Sequence, residues 1–493
     1  MPRVPSGRRT KIVATLGPAS DTEPALRALL EAGVEVVRLN LAHGTPDAHL
    51  VTMQRVRKLA DELGRTVAVL CDLPGPKIRS TAFPDGGVFL AEGPRLELVA
   101  VGGEFDEQTP STDKRIVVNY AHLCADLRAA DQVTLGDGGL LLVVESCEPD
   151  RLVARVVSGG RVQGRPGVHL PAERLRVSTP TEEDLVLLAV VAKAGADFIA
   201  ISFVRAADDV KRVREALAEQ ALPGPGPMLV SKIETRSAVE DLDAILDVTD
   251  AVMVARGDLG TDYPIEEVPH LQKRIVRACV RWGRPVITAT QMLESMINSP
   301  MPTRAEATDV ANAVFDGTDA VMLSGETAIG RDPPHVVRTM ARLVTRAEHE
   351  IDYLAWGNQL GRLQRQAALP QSLAITAATA HAAWRVALEV GTKAIVCCTR
   401  SGLTARAMAR FRPPCPMVGC SYDDEIVRQM ALSWGVYPVR VDFYRSTDEL
   451  VWFAVKTIVD HGFAEQGDVA VVLAGSPEDV APSTDVLRVV RIR

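Results

Sequence analysis

Eight short, apolar, β-prone runs recur along the chain, each followed by a segment with helical spacing: residues 12–16, 34–39, 67–71, 198–203, 229–233, 251–255, 285–289 and 320–323. A strand–helix alternation repeated eight times, with polar groups at the strand ends, points to a parallel (β/α)8 TIM barrel, and the fold class is read as α/β. The alternation breaks once, from 80 to 171. There the chain is Val- and Gly-rich, with strand-like runs at 96–101, 116–119, 132–135, 140–145 and 152–157 separated by Gly and Asp turns. This predicts a β lid domain inserted after the third strand, on the face where barrel loops carry chemistry. The pattern lapses at 352–369 and then restarts as a C-terminal open α/β domain. The expected divisions are 1–79 and 172–350 for the barrel, 80–171 for the lid and 351–493 for the last domain.

Residues 229–260 concentrate the charge. Lys232 and Glu234 are two apart at the end of a strand and so share a face. Ser237 and Glu240 read as a capping box opening one amphipathic helix. The next strand, 251–255, runs into Arg256, Gly257 and Asp258. Two carboxylates at the ends of neighbouring parallel strands, with an ammonium beside them, suit a hard divalent cation and an anionic oxygen ligand. The other strand ends add Arg38 and Asn40, then Asp72 followed by Lys77 and Arg79, then Thr288 and Thr290, and last Ser324 and Glu326. Arginines, lysines and carboxylates at one barrel mouth imply a phosphorylated or polycarboxylate substrate held with a metal. The two glycines of 255–260 could open a short helix whose N–H groups suit a substrate carboxylate. His43 lies next to the second strand end and reads equally as a structural partner or a participant.

Other classes are excluded on chemistry. A net charge of −8 and a pI near 5.7 argue against broad nucleic-acid or membrane binding. No apolar stretch approaches the ~20 residues of a membrane span, and the run after the basic N-terminus is too short for a signal peptide. No Gly-Lys dipeptide, G-x-G-x-x-G or H-E-x-x-H occurs. The eight cysteines show no C-x-x-C pair, which suits a reducing cytoplasm.

Nearly the whole chain resembles pyruvate kinase. The resemblance rests on RRTKIVATLGPAS at 8–20, VRLNLAHG at 37–44, GPKIR at 75–79, GVHLP at 167–171 and SKIE at 231–234, then on MVARGDLG at 253–260, ATQMLESM at 289–296, PTRAEATDVANAV at 302–314 and LSGETA at 323–328. It implies that phosphoenolpyruvate and ADP give pyruvate and ATP. It implies Mg²⁺ on Glu234 and Asp258, with Mn²⁺ an acceptable substitute. Lys232 would neutralise the phosphoryl group in flight, Arg38 would hold the substrate phosphate, and Gly257 and Asp258 its carboxylate. Thr290 would lie near the enolate carbon, and Asn40, His43 and Arg79 at the nucleotide. Thr399, Arg400, Ser401, Gly402 and Thr404 match the family's effector-phosphate loop. A homotetramer with a phosphorylated allosteric effector is implied likewise. The alternatives are a phosphotransferase with another acceptor and a catalytically weak regulatory paralogue.

The chain departs from the family in two places. Of the family's K⁺-binding set, Asn40 and Asp72 remain, while Ala42 and Leu73 replace oxygen-bearing side chains. Lys77 stands where K⁺-dependent members carry Glu, and a fixed ammonium can supply the monovalent charge, so K⁺ is expected not to be required. On the lid side, Pro166 replaces a nucleotide-facing Lys, with Arg165 before it, and His169 replaces an Asn. Glu183 replaces another Lys.

Overall fold

A computed structural model describes residues 7–102, 104–136, 139–171, 174–364, 371–443, 446–475 and 483–493. The tail residues 1–6, the boundary residues 172–173 and part of the expected lapse, 365–369, lie outside the described residues.

Eight parallel strands close a barrel: β1 (Lys11–Thr15), β2 (Val36–Asn40), β3 (Ala68–Asp72), β4 (Phe198–Ile201), β5 (Met228–Ile233), β6 (Ala251–Ala255), β7 (Val286–Ala289) and β8 (Ala320–Leu323). They neighbour one another in sequence order, and β1 pairs with β8 to complete the ring. Alternate residues divide between two cores, as the pleat requires. Val36, Ala68, Leu70, Ala200, Val230, Met253 and Ile287 fill the interior. Val37, Val69, Cys71, Ile199, Val252 and Val286 face the surrounding helices. Ala431 and Leu432, from the C-terminal part of the chain, join the interior cluster. The outer core runs on without interruption into that part, through Trp384, Ile395, Phe411 and Met417.

Between β3 and β4 lies a six-stranded sheet in the order Val168–His169, Gln132–Leu135, Leu140–Cys147, Leu152–Ser158, Arg95–Ala100, Arg115–Val118. A separate pair joins Val88–Leu90 to Gly160–Val162. This β-rich insertion has its own buried cluster around Leu98, Val118, Leu142 and Leu152, so it is held to the barrel by two crossing segments, which meet at a bridge between Arg79 and Gly167. The last sheet carries four parallel strands in the order Val436–Arg440, Met417–Ser421, Ala394–Cys398, Val469–Ala474, edged by an antiparallel strand, Val486–Arg491.

Three local expectations are corrected. The capping box is not at Ser237. Thr235, extended at φ −123°, ψ 155°, caps Arg236–Glu240 by accepting from Ala238 N–H, and a second helix, Leu242–Val248, follows after Asp241. The lapse at 352–369 is helical over Tyr353–Gln364. Its glycines are packing contacts rather than breakers: a Cβ on Gly357 would lie 2.2 Å from the Trp384 ring, and one on Gly361 2.5 Å from His381. Thr288 is not at the barrel mouth. Its neighbours Ile287 and Ala289 take the interior positions of β7, so Thr288 faces outward and bonds Thr318 Oγ at 3.0 Å. Among the described residues, no helix is long and apolar enough to cross a membrane.

Candidate active site

The interior face of each strand ends at the mouth, and strand parity chooses which residues arrive there. On β2, Val36 is interior, so Arg38 and Asn40 follow. On β3, Ala68 and Leu70 lead to Asp72; on β4, Phe198 and Ala200 lead to Ser202; on β5, Met228 and Val230 lead to Lys232 and Glu234. A cleft of about 230 Å³ opens here under the inserted sheet. Arg38, Asp72, Ser202, Lys232, Glu234 and Asp258 line its floor, and Lys77, Arg79 and residues 167–170 line the other side.

The floor is a charge network. Arg38 Nε donates to Asp72 Oδ2 at 2.7 Å, and its Nη1 donates to Thr15 Oγ at 3.1 Å. Lys232 Nζ donates to Ser202 Oγ at 2.7 Å and lies 3.6 Å from Asp72 and 3.3 Å from Glu234. Burial pushes the Asp72 carboxyl up, but Lys232 and Arg38 outweigh it and hold the group below its usual value. Burial works against the Lys232 ammonium too, yet Asp72, Glu234 and Asp258 raise it above the usual lysine range. Lys232 is therefore a permanent cation at any physiological pH.

Glu234 is the unfinished member. Only 2% of it is exposed. One oxygen accepts from Phe203 N–H at 2.6 Å, while the other, Oε2, is buried without a hydrogen bond. The Lys232 ammonium, 3.3 Å away, is in ion-pair range of Oε2 but not aligned to donate. Burial pushes the Glu234 carboxyl up to about 8 despite Lys232, and nearby Asp258 adds to the rise. A buried carboxylate oxygen left open beside a second carboxylate fits a divalent cation, which would satisfy both. Among the described residues no group of three or more metal-ligating side chains forms, so two carboxylates are what the chain itself offers.

β6 passes directly into a short helix, Arg256–Asp262, that carries Gly257 and Asp258. Gly257 N–H donates to Thr290 Oγ at 2.9 Å, and that hydroxyl donates to Ala289 C=O at 2.7 Å. Thr290 holds φ +62° and Phe203 φ +55°. Positive φ is costly for bulky or β-branched residues and persists where surroundings over-determine it. Arg256, 8% exposed, supplies that constraint at Thr290 by donating to the carbonyls of Ala289, Thr290 and Gln291. It is a clamp under the site. Glu326 is likewise structural: it accepts from Leu293 and Ser324 N–H.

At the lid side, Asn40 Oδ1 accepts from Ala42 N–H at 3.2 Å, and Lys77 Nζ donates to Ala42 C=O, also at 3.2 Å. Partial burial, then the charges of Arg79, Lys77 and Arg38, hold the His43 imidazole below its usual pKa. Arg79 Nη1 donates to Arg165 C=O at 3.1 Å. Arg165 and Glu183 line a second recess behind the crossing segments, with Lys77, Arg79 and Asn119. His169 bonds Gly136 C=O at 2.9 Å and belongs to the inserted sheet. The 399–404 loop lies far along the chain, between the strand Ala394–Cys398 and the helix Leu403–Ala409. Gly402 makes its turn at φ +75°, and Thr404 Oγ bonds Thr484 Oγ at 2.8 Å.

Sequence reasoning missed Ser202, Phe203 and the clamp role of Arg256. Ser202 has the interior parity of Phe198 and Ala200, a signal available in the sequence. The positive φ of Phe203 has no such signal.

Comparison with known proteins gives one answer throughout. The chain matches the family model for the pyruvate kinase barrel domain over residues 7–337 and that for the pyruvate kinase alpha/beta domain over 377–490. It is similar to the pyruvate kinase of Mycobacterium tuberculosis, 39% identical over 487 residues that cover 98% of both chains. It is similar to that of Geobacillus stearothermophilus, 39% identical over 485 residues, or 98% of this chain and 80% of the relative. The Clostridium acetobutylicum pyruvate kinase is 36% identical over 483 residues, or 98% and 99%.

Proposed function

The chain belongs to the pyruvate kinase family, and from that premise we propose how its own residues carry out phosphoryl transfer from phosphoenolpyruvate to ADP. The observation that supports the assignment most is the Lys232, Glu234 and Asp72 cluster, with its open buried oxygen at Glu234 Oε2. Arg38, fixed by Asp72, presents its remaining N–H groups to the substrate phosphate. Lys232 stays charged and faces the group in transfer, where negative charge spreads over the equatorial oxygens. Glu234 and Asp258 would hold a Mg²⁺ or Mn²⁺ ion, which would supply neutralisation of the substrate's negative charge when bound. The substrate carboxylate docks on Gly257 N–H by displacing its bond to Thr290 Oγ. That release leaves the Thr290 hydroxyl beside the enolate carbon, where a proton must arrive to give pyruvate. Asn40, His43 and Arg79 take the nucleotide side. Coupled pyruvate formation from phosphoenolpyruvate with a panel of nucleoside diphosphates tests the reading, and no pyruvate with any diphosphate rejects it.

K⁺ independence belongs to the same reading. The Lys77 ammonium sits on the Ala42 carbonyl, beside Asn40, and a fixed cation there makes a free one redundant. Turnover in K⁺-free buffer is expected to stay within about twofold of that with K⁺, and Lys77→Glu to become K⁺-dependent. Collapse of wild-type turnover without K⁺ rejects the idea.

Metal binding should depend on pH through Glu234. Its folded-state pKa, about 8, lies above the ordinary carboxylate value of 4.5. The metal-free protein therefore loses stability as the pH rises between those values, because the charged form is the penalised one. A divalent cation needs that charged form. The Mg²⁺-induced rise in Tm should grow with pH and level off above about 8, with apparent affinity tightening by up to ~10-fold per unit below it. Equal Tm shifts at pH 6.5 and 8.5 contradict this role for Glu234.

A homotetramer, and control by a phosphorylated effector at Thr399, Arg400, Ser401, Gly402 and Thr404, complete the proposal. The strand-to-helix turn at Gly402 supports the second part. Eight free thiols suit a reducing cytoplasm.

A further inference from the structure

We infer that Phe203 is a positioning residue of the metal site: its backbone N–H, set by a left-handed φ and braced by Gly75, fixes one oxygen of Glu234 so that the other is offered to a divalent cation. This rests on the proposed metal role of Glu234. Phe203 directly follows Ser202, just past the end of β4. Its φ of +55° is costly for an aromatic side chain, and such strain persists only where the surroundings impose it. Its neighbours do so here. On one side, Ser202 Oγ donates to Leu73 C=O at 2.7 Å. On the other, Val204 C=O accepts from Thr235 Oγ at 3.0 Å, and Val204 itself is fully buried in the outer core. Against the ring lies Gly75, where a Cβ would stand 3.0 Å from Phe203 Cδ2 and 2.9 Å from Ser202 Cβ. Gly75 is itself left-handed at φ +65°, and its N–H donates to Asp184 Oδ1 at 3.0 Å. Asp184, 1% exposed, completes a capping box with Thr181 at the start of the helix Glu182–Lys193. The chain after β3 is thereby pinned to that helix and pressed onto Ser202 and Phe203.

The strain is spent at Glu234. Phe203 N–H donates to Oε1 at 2.6 Å, while Oε2 stays buried without a hydrogen bond. A carboxylate tied by one oxygen keeps its orientation, and the free oxygen keeps its direction; such support commonly governs metal affinity. Without the N–H, the carboxylate could turn to accept from Lys232 Nζ, already 3.3 Å from Oε2, and the oxygen open to a cation would be lost. The left-handed turn lets one residue satisfy two demands: its N–H meets Glu234, and the next residue returns to the core outside the barrel. The donor is a backbone group, so it survives any substitution that keeps the φ.

Phe203→Gly and Phe203→Ala both delete the ring, but only glycine takes a left-handed φ at no steric cost. Mn²⁺ binding to the full chain, followed by the electron paramagnetic resonance of the free ion, should weaken about tenfold in Phe203→Ala, the scale set by a left-handed non-glycine residue. In Phe203→Gly it should stay within about threefold of wild type. A role for the ring in packing alone would impair the two variants alike. Gly75→Ala, which forces a Cβ against Ser202 and Phe203, should also weaken binding, by about tenfold. Glu234→Gln should abolish it. Wild-type Mn²⁺ affinity in Glu234→Gln overturns the metal assignment and this inference together. With Glu234→Gln impaired, equal affinity in the two Phe203 variants, weaker binding by the glycine variant, or wild-type affinity in Gly75→Ala overturns this inference alone.

Discussion

Lys232→Met should lower kcat roughly a thousandfold, the scale of removing one preorganised charge from a transition state, while leaving the KM for phosphoenolpyruvate within severalfold of wild type. The two effects separate because the proposed mechanism gives the resting phosphate to Arg38, which Asp72 holds in place, and not to Lys232. Uniform binding loss would raise KM, whereas loss of a contact made only in transfer lowers kcat. Methionine matches the length of the lysine stem, so the interior packing of β5 survives. The charge balance does not. Asp72 and Glu234 would face each other without the ammonium that lies 3.6 and 3.3 Å from them, and Glu234 would be driven further toward its protonated form. Divalent cation affinity should therefore fall at neutral pH and recover as the pH is raised. Lys232→Arg is the control: it restores the charge but not the single-point geometry on Ser202 Oγ, and should regain part of the rate. Turnover of Lys232→Met within tenfold of wild type would sink the assignment.

The residues of this site were legible in the sequence because a barrel turns period-two spacing into convergence. Arg38 and Asn40, or Lys232 and Glu234, share a face whatever the helices outside are doing. Thr288 shows the limit of that logic. It has the spacing to pair with Thr290, but β7 points Ile287 and Ala289 inward, and Thr290 is itself left-handed at φ +62°, which breaks the alternation. Local spacing cannot announce such a break, because it is imposed from another element, by Arg256 on the carbonyls of Ala289 to Gln291. The helix Tyr353–Gln364 was hidden for a related reason. Gly357 and Gly361 lie against Trp384 and His381, on a different helix, which occupy the space a Cβ would need. The open oxygen of Glu234 depends on its burial at the barrel mouth, so only the folded barrel reveals it. In each case the illegible part is a contact between segments distant in the chain.

Asp197→Ala should be the most destabilising single change at the barrel floor, at about 3–5 kcal/mol, the scale of removing one partner from a buried ion pair. Asp197 is fully buried at the entrance to β4. Its Oδ2 accepts from Arg57 Nη2 at 2.6 Å and from Val69 N–H at 2.7 Å, and its Oδ1 from Arg428 Nε at 2.7 Å. One carboxylate thus ties an outer helix, a barrel strand and the C-terminal domain together. The two arginines keep 26% of their side-chain surface exposed, so either can recover water when the acid is lost, but Val69 N–H cannot. Removing Arg428 instead leaves the carboxylate with Arg57, so Arg428→Ala should cost less than Asp197→Ala. The Asp197/Arg428 double-mutant cycle should show coupling of ~1–3 kcal/mol. Urea unfolding of the full chain measures these shifts. A cost for Asp197→Ala below about 1 kcal/mol, no more than one ordinary net hydrogen bond, contradicts the strut. The loss should also stay separate from catalysis. β4 carries Asp197 at its entrance and Ser202 just past its other end, with the strand Phe198–Ile201 fully buried between them. Well below its unfolding midpoint, Asp197→Asn should retain the wild-type kcat, because Ser202 still receives Lys232 Nζ from β5.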